Sequence, residues 1–130
     1  IEFLFPEQGR GKRTPYEIKK LHINAQGLRY LNLLQSHVLT LHRNNLQIKV
    51  PEPAAFVLHK YIISERRTDS DKKIKDKFAA KEIGNFLLTL PEQRNKLIEI
   101  YKNLPESWKK DLLKILKDNH LELHNFLKEI

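Results

Sequence analysis

The chain has 130 residues, with 24 Lys and Arg against 16 Asp and Glu, a net charge of +8 at pH 7 and no cysteine. This length suits one domain with a core of its own, and the lack of cysteine excludes disulfides and cysteine-ligated zinc within these residues. The basic balance favours a polyanionic partner (nucleic acid, a nucleotide or an acidic surface), or it reflects a lysine-rich surface that serves solubility.

No apolar run approaches the roughly 18 residues that a membrane span needs, and no segment has the pattern of a signal peptide. We therefore expect a cytoplasmic protein that has no membrane partner. The chain starts at Ile1, contains no methionine and opens within an apolar segment. These features lead us to expect that the N-terminal part of a longer protein is missing.

The first predicted elements are two strands joined by a loop. IEFLF at 1–5 is predicted to be a strand that is covered on both faces. PEQGRGKRTP at 6–15 combines glycine, proline and charge, which predicts a loop. YEIKKLHI at 16–23 alternates loosely and is predicted to be a second strand.

A short helix and a hairpin are predicted next. Leu28, Leu31 and Leu34 recur at helical spacing, which favours a helix over 25–37. VLTLHRNNLQIKV at 38–50 contains two β-type runs separated by Arg43–Asn44–Asn45, which predicts a hairpin.

The rest of the chain is predicted to be helical. Pro53 suits the first position of a helix, where its missing N–H costs nothing, and Asp69, Ser70 and Asp71 can cap the helix that follows. The predicted helices span about 53–67, 70–89, 91–103, 105–118 and 120–130. Strands followed by helices indicate an α+β fold, with a sheet in residues 1–50 and a helical domain in 51–130 that together form one unit.

One apolar helix contains an unexpected lysine. VPEPAAFVLHKYIISERR at 50–67 carries Lys60 in its middle and ends in Arg66–Arg67. On a helix Lys60 shares a face with Phe56 and Ile63. Its stem either covers apolar surface while the ammonium reaches water, or the ammonium points into a cleft and meets a phosphate. The basic residues that follow favour the second interpretation.

Four segments, in this order, resemble a bacterial nucleotidyltransferase-fold family to which the toxin of AbiE-type abortive-infection toxin–antitoxin systems is related. They are IEFLFPEQGRG, AQGLRYLNLL, IKVPEPAAFVLHKYIISERR and KKIKDKF, and the resemblance covers about residues 1–85. It implies that residues 1–50 are the C-terminal part of a nucleotidyltransferase-type mixed sheet. It also implies transfer of NMP from an NTP to RNA, protein or a small molecule, and an antitoxin-like protein as a candidate partner.

The same resemblance implies a set of site residues. Glu2 corresponds to the third catalytic carboxylate of the fold and would bind Mg²⁺, which prefers carboxylate oxygens and stabilises the leaving pyrophosphate. The implied nucleotide- and phosphate-binding residues are Lys60, Arg66, Arg67, Lys75 and Asp76. Family members often continue with a Gln-Ala pair where this chain has Ala79–Ala80, so the register of this helix stays open.

The main departure from the family is the Gly-Ser…Asp-x-Asp motif, which does not occur in these 130 residues. One carboxylate cannot assemble a two-metal site, so we expect these residues alone to be inactive. The alternative is a non-catalytic helical module that binds nucleic acid or a partner protein through the basic groove around Lys60–Lys77. His120 and His124 are four residues apart, a spacing that metal ligands on a helix can have, but the sequence offers no third ligand.

Two spatial expectations follow from these assignments. Glu2 should point into a cleft, because an unpaired carboxylate in an apolar core is costly; the alternative is an edge strand with Glu2 in solvent, since edge strands commonly carry charge. The helices at 53–67 and 70–89 should pack antiparallel beside the sheet, because their connection is short. Lys60 and Arg66 or Arg67 should then lie on the same side of the molecule as Lys75.

Overall fold

The computed structural model describes residues 3–7, 9 and 14–130. Glu2 and half of the loop predicted at 6–15 lie outside the described residues. The first three strands form one sheet in the order β1-β3-β2, namely β1 (Phe3–Pro6), β2 (Tyr16–Ile18) and β3 (Ile23–Leu28). The central strand β3 runs parallel to β1 and antiparallel to β2, so the sheet is mixed.

Strand β1 is largely exposed. The side chains of Phe3 and Leu4 are 44% and 43% exposed, although Phe5 packs edge-on against Tyr16 with ring centroids 5.0 Å apart. The prediction that this strand is covered on both faces is therefore wrong for its described residues. An apolar run cannot reveal whether the same chain supplies the covering layer.

Residues 25–37, predicted as one helix, form the end of β3 and then helix α1 (Leu31–Ser36). The three leucines at helical spacing thus belong to two elements, and Tyr30 links them with a left-handed φ of 59°. Residues 16–23 are likewise divided, since β2 is followed by a short 3-10 turn at Lys19–Leu21. Short apolar runs do not distinguish a helix from a strand by spacing alone.

The hairpin prediction is confirmed by strands β4 (Val38–Arg43) and β5 (Leu46–Pro51). Asn44 takes a φ of 55° in the two-residue turn, a conformation that asparagine tolerates. The pairs Leu39–Val50 and Leu41–Ile48 lie on one face of the hairpin. Leu41 and Ile48 are 50% and 47% exposed, so the described residues cover this apolar face only in part.

The helical prediction is confirmed, with helix ends within three residues of those expected. The helices are α2 (Pro53–Ser64), α3 (Ser70–Leu88), α4 (Pro91–Lys102), α5 (Glu106–Asn119) and α6 (Leu121–Lys128). Pro53 and Pro91 occupy first-turn positions. The Asp69 carboxylate caps α3 by accepting the N–H groups of Asp71 and Lys72 at 3.0 and 3.2 Å. Among the described helices, none has both the length and the apolar content that crossing a membrane requires.

Helix α2 lies at the centre of the core. Ala54, Ala55, Val57, Leu58 and Tyr61 are fully buried, and α2 contacts α1, α3, α4 and α5. A helix that packs on so many sides is apolar nearly all round, which explains why this segment shows so few polar positions. Burial of this kind supplies most of the stability of a fold.

Helices α2 and α3 pack antiparallel, as predicted. Glu65 at the end of α2 pairs with Lys73 at the start of α3, whereas Val57 near the start of α2 lies close to Gly84 late in α3. The end of α2 thus lies beside the start of α3, and the start of α2 lies beside the later part of α3, so the two helices are antiparallel.

His120 forms a buried network between α3, α5 and α2. Its Nε2 donates to Asn85 Oδ1 at 2.8 Å, and Nδ1 accepts from the Tyr61 hydroxyl at 2.9 Å. Burial lowers the pKa of His120, which fits this neutral form. Both ring nitrogens of His120 are thus hydrogen-bonded within the protein. The described residues hold no group of three His, Asp or Glu that could bind a metal ion.

The His120 network makes Gly84 a test of the packing. A Cβ at Gly84 would lie 2.8 Å from His120 Cε1, and two hydrogen bonds hold that ring in place. We expect Gly84→Ala to lower the free energy of unfolding by about 1–3 kcal/mol, measured by urea denaturation. Lys81→Ala, at an exposed position of the same helix, is the control and should change stability little. A stable Gly84→Ala variant would contradict the tight packing.

Candidate phosphate-binding site

The centre of the candidate site is a carboxylate shared by two cations. Asp76 Oδ1 accepts a hydrogen bond from Lys60 Nζ at 2.6 Å, and Oδ2 accepts one from Arg67 Nε at 3.0 Å. The Asp76 side chain is only 9% exposed. Burial disfavours its charged form, but the two hydrogen bonds outweigh burial, so the pKa of Asp76 lies below its ordinary value. Asp76 is therefore a fixed anion between α2 and α3.

Lys60 has a partner that the sequence alone did not indicate. Its ammonium lies 5.4 Å from the centre of the Phe56 ring and is held by Asp76. The side chain is 23% exposed, so Lys60 is partly accessible from solvent. The lysine in the apolar run is thus explained by a partner on the next helix.

The structure brings Lys60, Arg67 and Asp76 together and leaves Arg66 and Lys75 beside them. The Arg66 guanidinium lies 5.2 Å from the Tyr30 ring centre, and neither Arg66 nor Lys75 has a carboxylate partner among the described residues. Because successive helical residues are rotated by about 100°, the exposed Lys75 points away from the face on which Asp76 meets α2. Lys75 is thus on the same helix as the cluster but not part of it.

Arg29 joins the ends of two strands, a role that sequence reasoning missed. Its guanidinium donates to Glu7 Oε2 at 2.9 Å and to the Gly9 carbonyl at 3.1 Å. Its own carbonyl accepts from His59 Nε2 at 3.2 Å. Burial is the main cause that lowers the pKa of His59 to about 4. The only sequence signal for this set was the Leu-Arg-aromatic-Leu segment, which gave no partner for the arginine.

A cleft of about 390 Å³ opens at these residues. It lies where the parallel strands β1 and β3 end, which is the edge of a parallel sheet at which ligands commonly bind. The end of α2 and the residues just after it form its other wall. The residues that line it are Glu7, Gly27, Leu28, Arg29, Ile63, Arg66 and Arg67. Three arginines against one glutamate make the cleft suited to an anion.

A second cleft of about 560 Å³ lies between the end of α2, the start of α3 and helix α5, and it shares Arg66 with the first. On its wall Glu65 accepts from Lys73 at 2.8 Å and pairs with Lys77 at 2.7 Å. The hydrogen bonds from Lys73 and Lys77 lower the pKa of Glu65. These lysines are thus paired within the chain, in contrast to Arg66.

The Mg²⁺ site implied by the resemblance has no counterpart among the described residues. Residues 3–7, 9 and 14–130 contain no group of three His, Asp or Glu side chains that could hold a metal ion. Glu2, the implied ligand, lies outside the described residues, so its expected position in a cleft stays a prediction. Asp76 is already paired with two cations, which makes it a poor metal ligand.

Comparison with family models identifies the class of protein. A model described as nucleotidyltransferase matches residues 1–117. The chain therefore belongs to this nucleotidyltransferase family, whose general function is nucleotide transfer and which implies an NTP substrate. The match extends past the first 85 residues into α5, so α2 to α4 and most of α5 lie within the matched region. Comparison with curated proteins and with solved structures gives no further match.

Removing the charge of Asp76 tests the cluster. In Asp76→Asn, Lys60 and Arg67 keep their charge but lose the carboxylate that accepts their hydrogen bonds. We expect the free energy of unfolding to fall by about 2 kcal/mol, as for hydrogen bonds to charged groups. The measurement is urea denaturation at pH 7. Glu82→Gln, at an exposed position of α3, should change stability by less than about 0.5 kcal/mol; equal losses in both variants would contradict the assignment.

His59 predicts a dependence of stability on pH. His59 takes up a proton near pH 6.5 in the unfolded chain and only near pH 4 in the folded chain. Between these pH values the unfolded state therefore binds more protons. Stability is therefore fully present above pH 6.5 and decreases as the pH falls toward 4, by on the order of 3 kcal/mol. Urea denaturation over this range measures the loss. It should shrink in His59→Gln and persist in His42→Gln, at an exposed hairpin position; an unchanged loss in His59→Gln would contradict the prediction.

Proposed function

We propose that the chain supplies the phosphate-binding side of a nucleotidyltransferase site, in which the cleft at the ends of β1 and β3 receives the triphosphate of an NTP. The observation that carries this proposal is the set of three arginines around that cleft. Arg29 is paired with Glu7 and Arg67 with Asp76, whereas Arg66 has no carboxylate partner among the described residues. An incoming phosphate can therefore bind Arg66 without breaking an existing ion pair.

The reaction proposed is transfer of an NMP group. A hydroxyl oxygen of the acceptor forms a bond to the α-phosphorus, the bond from that phosphorus to the bridging oxygen of the β-phosphate breaks, and pyrophosphate leaves. The hydroxyl proton passes to solvent. Guanidinium groups favour this step because they bind phosphate oxygens in a bidentate fashion and stabilise the charge on the leaving group.

The other residues implied by the resemblance have supporting roles in this proposal. Asp76 holds Arg67, which lines the cleft, and Lys60, which lies beside it, in fixed positions. The exposed fraction of Lys60 leaves room for one contact with a phosphate. Lys75 lies outside the Asp76 cluster, and we assign it a long-range attraction of the nucleotide.

We further propose that transfer depends on Mg²⁺ and that Glu2 is one of its ligands, together with carboxylates that are not among the described residues. Mg²⁺ would neutralise phosphate charge and stabilise the leaving pyrophosphate. On this proposal residues 1–130 bind an NTP weakly and transfer nothing by themselves. A relation to AbiE-type toxins, an antitoxin-like partner and a cytoplasmic location belong to the same proposal.

Nucleotide binding tests the arginine assignment. Calorimetric titration of the 130-residue chain with ATP should give weak binding, and Arg66→Gln should weaken it about fivefold, since one charged hydrogen bond is lost. Arg43→Gln, on the exposed turn of the hairpin, is the control and should bind as the wild type does. Equal affinities of wild type and Arg66→Gln would show that the triphosphate does not use this cleft.

Incubation with labelled NTPs, Mg²⁺ and total RNA or protein tests the dependence on further carboxylates. The 130-residue chain should incorporate no label, and protein that includes the Gly-Ser…Asp-x-Asp motif should incorporate it. In that protein Lys60→Ala should reduce incorporation strongly, while Lys109→Ala, whose lysine pairs with Glu106 on α5, should not. Robust incorporation by the 130-residue chain would overturn the proposed dependence.

A further inference from the structure

Helix α3 carries a row of apolar side chains that point into solvent. Ile74, Phe78 and Phe86 are 65%, 66% and 62% exposed. Their positions differ by multiples of four, so they lie along one ridge of the helix. Glu82 occupies the remaining position of this ridge, between the two phenylalanines. We call these four residues the α3 stripe.

The α3 stripe lies on the side of the helix that faces away from the core. The side chains of α3 that are buried belong to Asp76, Ala80, Gly84 and Leu87. At about 100° per residue, these positions centre on the opposite side of the helix from the stripe. Large apolar side chains that adjoin one another on an exposed surface commonly mark a contact with another protein. The stripe is therefore a candidate contact surface.

Two charged side chains on this surface lack a partner within the described part of the chain. Lys75 and Glu82 take part in no ion pair or hydrogen bond among the described residues. They are seven residues apart, about two turns of helix, and therefore lie on the same flank of α3. Glu82 loses contact with water if the phenylalanines on either side of it are covered, so a partner that covers the stripe must bring a cation to Glu82. The same partner should place an anion beside Lys75.

We propose that the α3 stripe binds the α3 stripe of a second copy of this chain, with the two helices antiparallel about a twofold axis. Ile74 of each copy then packs against Phe86 of the other, and the two Phe78 side chains lie near the axis. Lys75 of each copy lies beside Glu82 of the other, which supplies the cation and the anion that the surface requires. In a twofold contact each of these interactions occurs twice.

One register satisfies both sets of contacts. If Ile74 lies opposite Phe86, then Lys75 and Glu82 of the other copy are offset by about three residues, or about 4.5 Å along the helix. A flexible lysine side chain spans this distance. A parallel pair would place Glu82 beside Glu82 and Lys75 beside Lys75, and like charges repel. The placement of the charges thus favours the antiparallel arrangement.

The contact is small, so the dimer should be weak. Each copy contributes two phenylalanines and one isoleucine, which gives a total buried area of about 1,000 Å² for the pair, near the lower limit for specific interfaces. The net charge of +8 on each copy opposes association. We expect a dissociation constant of roughly 10–100 μM. In dilute solution the chain is then monomeric, and urea denaturation there measures the stability of the single copy.

The proposed pairing leaves both clefts of the molecule open. No residue of the α3 stripe lines either cleft, and Lys73 and Lys77, which line the larger one, lie on another side of α3. The inference therefore goes beyond the nucleotide site and does not depend on it: dimerisation and ATP binding can each fail without the other.

Sedimentation velocity of the 130-residue chain over a range of concentrations tests the proposal. Wild type should change from monomer to dimer as the concentration rises, and Phe78→Gln should weaken dimerisation about tenfold, because apolar contacts at the axis are lost. Lys75→Glu and Glu82→Lys should each weaken it about tenfold, because both ion pairs become like-charge contacts. Lys117→Glu makes the same change of net charge as Lys75→Glu, at an exposed position of α5. It is the matched control and should dimerise at least as strongly as wild type.

A mixture of the two charge variants tests the register. In a mixed dimer of Lys75→Glu with Glu82→Lys, opposite charges meet again at both contacts. The mixture should therefore dimerise as wild type does, although each variant alone dimerises more weakly. All substituted positions are exposed, so the circular dichroism of every variant should match that of wild type.

Three results would overturn the inference: a wild type that stays monomeric, a dimer that Phe78→Gln leaves unchanged, or a mixture that dimerises no better than the single variants. The first would mean that a different protein or another segment covers the stripe. The second would place the dimer contact on another surface, such as the apolar face of the β4–β5 hairpin. The third would exclude the antiparallel register.

Discussion

The buried carboxylate of Asp76 is the interaction on which the arrangement of the site depends. It holds Lys60 and Arg67 at 2.6 and 3.0 Å, and these cations belong to different parts of the chain, the middle of α2 and the segment after it. Breaking a partly buried ion pair costs more than forming it gains, because the remaining charge stays desolvated. Asp76 therefore fixes where α2 ends relative to α3, and with it the position of the neighbouring Arg66.

The helical half was predictable because its signals are local. Prolines at first-turn positions and the Asp69 cap set the starts of helices, and the short connection after α2 sets the antiparallel packing. The sheet was less predictable. Leu28, Leu31 and Leu34 share helical spacing although they lie in a strand and a helix. The left-handed Tyr30 between the two elements packs against Trp108 and Arg66, contacts that no local pattern indicates.

For the candidate site, the sequence named residues that lie together in the structure but did not indicate how they are connected. Resemblance pointed to Lys60, Arg67 and Asp76 as one functional set, and the structure places them in contact. Nothing in the sequence indicated that the lysine and the acid bind each other, because they are 16 residues apart on separate helices. Arg29 and Glu7 were missed for the same reason: their contact requires the parallel pairing of β1 with β3, and pairing across such a distance leaves no local pattern.

The helical half of the chain holds most of the buried core, and both halves contribute residues to the arginine-rich cleft. The helices bury a continuous core around α2, whereas the hairpin of β4 and β5 exposes its apolar face and β1 exposes Phe3 and Leu4. An isolated two-stranded hairpin is marginal in water, so the sheet region draws its order from the few contacts that tie it to the helices. The bond from His59 to the Arg29 carbonyl is one of these. Because Arg29 also lines the arginine-rich cleft, the bond that ties the strands to the core also positions that cleft.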